Sequence, residues 1–152
     1  MVVRLCNWLG CKGLPIAQAR LMILSIALAH IVTLLSVILV ITTGDVSLMY
    51  AWLYAGICQA LIIEGTKWIL NHTTLGQRPN GRSYGFPCDY TAGAFYGALF
   101  IAVNWGWWGI WPLAVATTSG IGFVVARTHW PRDVIAGALI AITCTMLVTH
   151  HI

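Results

Sequence analysis

Charge is what this sequence has least of. Only 8% of its 152 residues are Asp, Glu, Lys or Arg, against roughly a quarter in a soluble domain. With 59% hydrophobic residues, an ordinary soluble domain is excluded. Cysteine is present but not grouped. Cys6, Cys11, Cys58, Cys88 and Cys144 form no close Cys-x-x-Cys or Cys/His cluster in the chain, so neither a zinc site nor a disulfide framework is indicated. They read as small apolar residues. No metal, no cofactor and no nucleic-acid partner is expected. The first apolar run also lacks an Ala-x-Ala cleavage site: it ends Ile41-Thr42-Thr43-Gly44, so it reads as a retained span and not a signal peptide.

What is there is long apolar runs. A spanning helix needs roughly 20 such residues, and five stretches fit or nearly fit: Leu21 to Thr42, Val46 to Leu70, Thr91 to Asn104, Leu113 to Val125 and Asp133 to His150. The expected fold is an all-α polytopic membrane helical bundle of about five transmembrane helices. With room for one domain, residues 20–152 form it. Residues 1–19, where Arg4 and Lys12 sit among Leu5, Trp8, Leu9 and Leu14, read as a half-embedded interfacial segment. Mid-span His30 reads as a neutral imidazole bonded to a neighbouring helix. Thr117, Thr118 and Ser119 are candidate interhelical donors, and Trp105, Trp107, Trp108 and Trp111 are membrane-edge anchors.

Five spans put the amino terminus, the Lys67–Gly93 stretch and the Ala126–Asp133 stretch on one face. All eight cations (Arg4, Lys12, Arg20, Lys67, Arg78, Arg82, Arg127 and Arg132) fall on that face. The positive-inside rule makes it cytoplasmic.

Those two stretches are the only long polar interruptions, and the chemistry is concentrated in them. Lys67 and Arg78 are natural phosphate partners, a point charge and a planar fork. Glu64, three residues before Lys67, can pair with it. His129 and Asp133 are four apart; a carboxylate at that spacing can bond one imidazole nitrogen and leave the other free as nucleophile or base. The plainer alternative is that all of these only solvate loops at the headgroup layer.

The order of motifs adds to this. Gly-Gln-Arg-Pro-Asn-Gly, then Phe-Pro-x-x-x-Thr-Ala-Gly-Ala-Phe, then His-Trp-Pro-x-Asp-Val-Ile-Ala-Gly, over roughly Ile63 to Ala141, resembles the type 2 phosphatidic acid phosphatase superfamily of membrane lipid phosphatases and phosphotransferases. The resemblance implies phosphate binding by Lys67 and Arg78, a nucleophile at His129 supported by Asp133, and a bacterial inner (cytoplasmic) membrane. It also exposes departures. The family's Pro-Ser-Gly-His reads Pro87-Cys88-Asp89-Tyr90 here, and its Ser-Arg pair, six residues before the nucleophile, is Gly122-Phe123. The resemblance thus puts Cys88 for a phosphate-bonding Ser, Asp89 for a Gly amide, Tyr90 for the general acid and Phe123 for the clamping Arg.

These losses act in one direction. Phosphoryl transfer depends on positioning and charge stabilisation, and each lost donor is worth roughly 3 kcal/mol. A phenol with a pKa of about 10 is a poor general acid at neutral pH. The expectation is a retained phosphatase-like domain with impaired catalysis, acting as a structural or accessory subunit of a membrane assembly or as a lipid-phosphate binder. The alternative is an active, divergent lipid phosphate or polyprenyl-diphosphate phosphatase using His129, with Tyr90 as acid. Expected partners are membrane lipids, a phosphorylated lipid and other membrane subunits. If the fold is kept, Phe123, six residues before His129, points into the old pocket beside His129 and Tyr90.

Overall fold

The computed structural model describes residues 14–150. Five α-helices run through them: α1 Ile16–Thr43, α2 Val46–Leu70, α3 Asp89–Trp105, α4 Ile110–Val125 and α5 Pro131–Thr149, with one 3₁₀ turn, Gly106–Gly109, between α3 and α4. No strand occurs among the described residues. The protein is an integral membrane protein built as an all-α bundle.

Local chemistry explains the helix ends. Pro15 precedes α1, where its missing N–H costs nothing. Gly44 ends α1 in the left-handed region, at φ 67°, and its N–H returns to the Ile41 carbonyl, an end only glycine adopts without strain. Asp45 then caps α2, its carboxylate accepting from Ser47 N at 2.9 Å and Leu48 N at 3.3 Å. Asp89 and Asp133 each lie in the first turn of a helix, α3 and α5, where the helix dipole favours a carboxylate.

Packing is inverted relative to a soluble core. The buried apolar side chains are largely small, among them Ala29, Ala51, Ala55, Ala92, Ala94, Ala98, Ala116 and Ala141, while Leu34, Ile38, Leu61, Ile121 and Leu147 face outward. In lipid, small residues let backbones approach closely, which is where helix association gains its packing energy. Four glycines mark such approaches. A Cβ on Gly97 would lie 3.0 Å from the Thr33 Cα, and one on Gly122, Gly137 or Gly109 would overlap Ser25, the Cys88 carbonyl or Ala102. The Gly109–Ala102 and Gly120–Thr91 approaches show α3 and α4 lying antiparallel. Ser119 Oγ donates to the Ser25 carbonyl of α1 at 2.8 Å; Thr117 and Thr118 instead bond back to Leu113 and Ala114 in their own helix.

The all-α bundle is the one expected, with a count of long apolar segments one below the expected five or so. Four segments are long and apolar enough to cross a membrane, because Asp89–Val125 counts as one 37-residue segment. Its two arms, of 17 and 16 residues, are each about 25 Å long, and they fold back on each other at the 3₁₀ turn. Within the expected interfacial segment, α1 begins at Ile16 and Ala19 is buried. The rest of the expected interfacial segment, residues 1–13, lies outside the described residues. His30 bonds within its own helix, its Nδ1 2.8 Å from the Ile26 carbonyl, and not to a neighbouring one.

Candidate functional site

Both polar stretches meet at one end of the bundle. Four links tie them. The Cys88 N–H donates to the Asp133 carbonyl at 2.9 Å, His129 Nδ1 to the Gly85 carbonyl at 3.0 Å, the Trp130 indole to the Gln77 carbonyl at 3.0 Å, and Arg132 Nη2 to the Thr74 carbonyl at 3.1 Å. The loop before α3 is itself folded back, with Gly85 N bonded to the Gly76 carbonyl at 2.8 Å and Arg78 N to the Arg82 carbonyl at 2.7 Å.

Lys67 sits in the last turn of α2 with only 7% of its side chain exposed. Its ammonium lies 3.0 Å from Asp89 Oδ2 and 3.5 Å from Glu64 Oε1. The Glu64 pairing is the one the three-residue spacing predicts. Asp89 is the nearer partner, and its other oxygen, Oδ1, is buried with no hydrogen-bond partner. An acid of the chain itself thus occupies the ammonium. Arg78 turns its Nη2 to the Tyr84 carbonyl at 3.1 Å, its Nε is buried without a partner, and its charge is felt at His129.

His129 is 1% exposed and Asp133 fully buried. The expected bond between them is replaced. His129 Nδ1 and Asp133 Oδ2 are 3.6 Å apart, an ion-pair distance too long for a hydrogen bond. The imidazole donates to Gly85 instead, while Asp133 Oδ2 accepts the Trp130 N–H at 2.9 Å and caps α5. The competing demand is local: a helix start has unpaired N–H groups, and an acid in the first turn meets them before it reaches a side chain one turn away. Burial disfavours the imidazolium, but the Cys88 sulfur and the Asp133 carboxylate beside the ring outweigh it, with Arg78 opposing them. The His129 pKa is pushed up to about 9.

Phe123 faces inward. It is 1% exposed, its ring centroid lies 5.5 Å from that of Tyr90 in a stacked arrangement, and 5.7 Å from that of His129, edge-on. Tyr90 also lies 5.9 Å from the His30 ring. A cavity of about 290 Å³ is lined by Ala29, His30, Thr33, Asp89, Tyr90 and Gly93. Gly122 takes no part in the site; it faces Ser25 of α1. Arg127 is exposed at φ 54°.

Cys88 is fully buried, and its sulfur accepts the Thr91 hydroxyl at 3.2 Å. Folding brings it to residues far away in the chain: one donor atom each from Cys88, Asp89 and His129 lie within 4.8 Å of one another. Sequence reasoning missed Thr91 and Gly85 as site residues. No spacing rule signals a loop carbonyl as a histidine's partner, while a Thr three residues after a cysteine at a helix start does fall one turn above it.

Compared with protein-family models, curated proteins and solved structures, the chain matches none. The function must therefore be argued from the site itself.

Proposed function

We propose that this integral membrane protein is a phosphatase-like scaffold of the type 2 phosphatidic acid phosphatase kind. Its anion site is filled from within, and it serves as an accessory or structural subunit of a membrane assembly. The observation that carries this reading is the occupation of Lys67 by Asp89 at 3.0 Å. A phosphate arriving there must displace a carboxylate that is covalently part of the chain, and so at high effective concentration. Phe123 supports the same reading, because an aromatic ring fills the space beside His129 where a cationic clamp would be needed to stabilise a transferring phosphoryl group. The end bearing both loops faces the cytoplasm in this reading, since five cations, Lys67, Arg78, Arg82, Arg127 and Arg132, lie in or beside those loops, and the membrane is a bacterial inner membrane.

A second reading, turnover by His129 with Tyr90 as acid, is favoured by one observation. The Gly85 carbonyl fixes Nδ1 as a donor and leaves Nε2 as the reactive nitrogen. Phosphate release from a panel of lipid phosphates and a polyprenyl diphosphate separates the two. The scaffold reading expects no release above that of His129→Ala. Release that His129→Ala abolishes would overturn it in favour of a divergent phosphatase.

A further inference from the structure

The same end of the bundle holds a donor set that suits a metal cation. Cys88 offers a sulfur, Asp89 a carboxylate oxygen and His129 an imidazole nitrogen, with one atom of each within 4.8 Å of the others. The three come from the loop before α3, the first turn of α3 and the loop before α5. Cys88 and His129 are at most 1% exposed.

The surroundings fit a ligand role for each. His129 spends Nδ1 on the Gly85 carbonyl, which orients the ring and leaves Nε2 for a metal, the usual outer support of a ligating histidine. Asp89 spends Oδ2 on Lys67, and its buried Oδ1 has no partner. The Cys88 sulfur accepts the Thr91 hydroxyl, a bond that fixes its position. Sulfur, nitrogen and oxygen donors together suit Zn²⁺, and three protein ligands leave its fourth tetrahedral position open. Zinc–ligand distances of about 2.0–2.3 Å put tetrahedral donors roughly 3.5 Å apart, so the cluster must close by about 1 Å. That is within reach of small side-chain rotations at Cys88 and Asp89.

We infer that Cys88, Asp89 and His129 form a binding site for a thiophilic divalent cation of the zinc type, with Gly85 and Thr91 as its outer supports and Lys67 as a charge that opposes it. This inference stands on the cluster's geometry and holds whether or not the phosphatase-like reading does.

The test uses the full chain in detergent, titrated with Co²⁺ as the spectroscopic stand-in for zinc. One equivalent is expected to give a thiolate-to-cobalt charge-transfer band with the visible bands of a tetrahedral ion, and Zn²⁺ is expected to bleach both. Cys88→Ser and His129→Gln are expected to lose the band. Thr91→Val is expected to weaken binding about 10-fold, as loss of an outer support does, and Lys67→Met to tighten it by about 10-fold or more through removal of a nearby like charge. A chain carrying Cys6→Ser, Cys11→Ser, Cys58→Ser and Cys144→Ser together is expected to keep the band. Its loss from that chain with helical circular dichroism intact overturns the inference, as does its absence from folded wild type or its survival in Cys88→Ser. Phosphate release plays no part in these readouts, so the two proposals fail separately.

Discussion

Asp89→Asn is the most informative single change, because it removes one charge while keeping shape. At 3.0 Å the gross attraction between Lys67 and Asp89 is about 5 kcal/mol at an effective dielectric of 20 and about 1 kcal/mol in water. Removing one partner of a fully buried pair costs about 3–5 kcal/mol. Here the Lys67 side chain is 7% exposed but that of Asp89 is 40% exposed, so solvent screens part of the interaction, and Glu64 remains at 3.5 Å. The expected loss is therefore about 1–3 kcal/mol. Glu64→Gln, at a 69% exposed partner, should cost under about 1 kcal/mol. Asp89 also lies in the first turn of α3, where losing a carboxylate costs a further fraction of a kcal/mol on its own. A double-mutant cycle with Lys67→Met removes that contribution. Unfolding by a denaturing detergent, followed by circular dichroism, gives the four free energies. A coupling below about 0.3 kcal/mol, or a Glu64→Gln loss as large as that of Asp89→Asn, would refute the assignment of Asp89 as the principal partner. If the proposed function is right, Asp89→Asn also retains more lipid phosphorus through purification than wild type, because Lys67 is then open to an outside anion.

Three further outcomes follow from the packing. Phe123→Ala should cost about 3–5 kcal/mol, the usual loss for a buried Phe, read in the same unfolding assay; a loss under 1 kcal/mol would mean that the ring is not a packing element. Gly137→Ala puts a Cβ against the Cys88 carbonyl oxygen and 3.3 Å from Ala92 N. Forcing α5 from α3 should cost about 1–3 kcal/mol, and an unchanged midpoint would show that the helices are not in such close contact. If the proposed function is right, changing four positions together (Cys88→Ser, Asp89→Gly, Tyr90→His and Phe123→Arg) should give more phosphate release than any single change, since groups acting as a unit are non-additive. Full release from Tyr90→His alone would contradict that interdependence.

The helices were legible because their signal is local. The second apolar run, Val46 to Leu70, has the bounds of α2, since Asp45 supplies a cap and the polar stretch supplies a stop. The first helix starts five residues earlier than the uncharged run because Arg20, at the bundle's end, does not interrupt it. The placement of Phe123 followed from the resemblance, which puts the residue six before His129 in the same pocket as that histidine. The pairings at the site were less legible. Lys67 meets Asp89 across 22 residues of sequence, and nothing in the spacing ranks that acid above Glu64. Asp133 and His129 have the spacing for a bond, yet the bare N–H groups of α5 claim the carboxylate first. Cys88 and His129, scattered in the chain, become neighbours only when the two loops close on each other.

That closure sets an order of events during synthesis. The carbonyls of Thr74, Gln77 and Gly85 all receive their donors from His129, Trp130 and Arg132, which leave the ribosome more than 40 residues later. Until residues 129–132 arrive, these three carbonyls lack their donors, and only the loop's internal bonds, Gly85 N to Gly76 and Arg78 N to Arg82, shape it. The loop's finished form is thus a record that the last helix has arrived, and a chain stalled before residue 126 would present this end of the bundle unfinished to whatever inspects nascent membrane proteins.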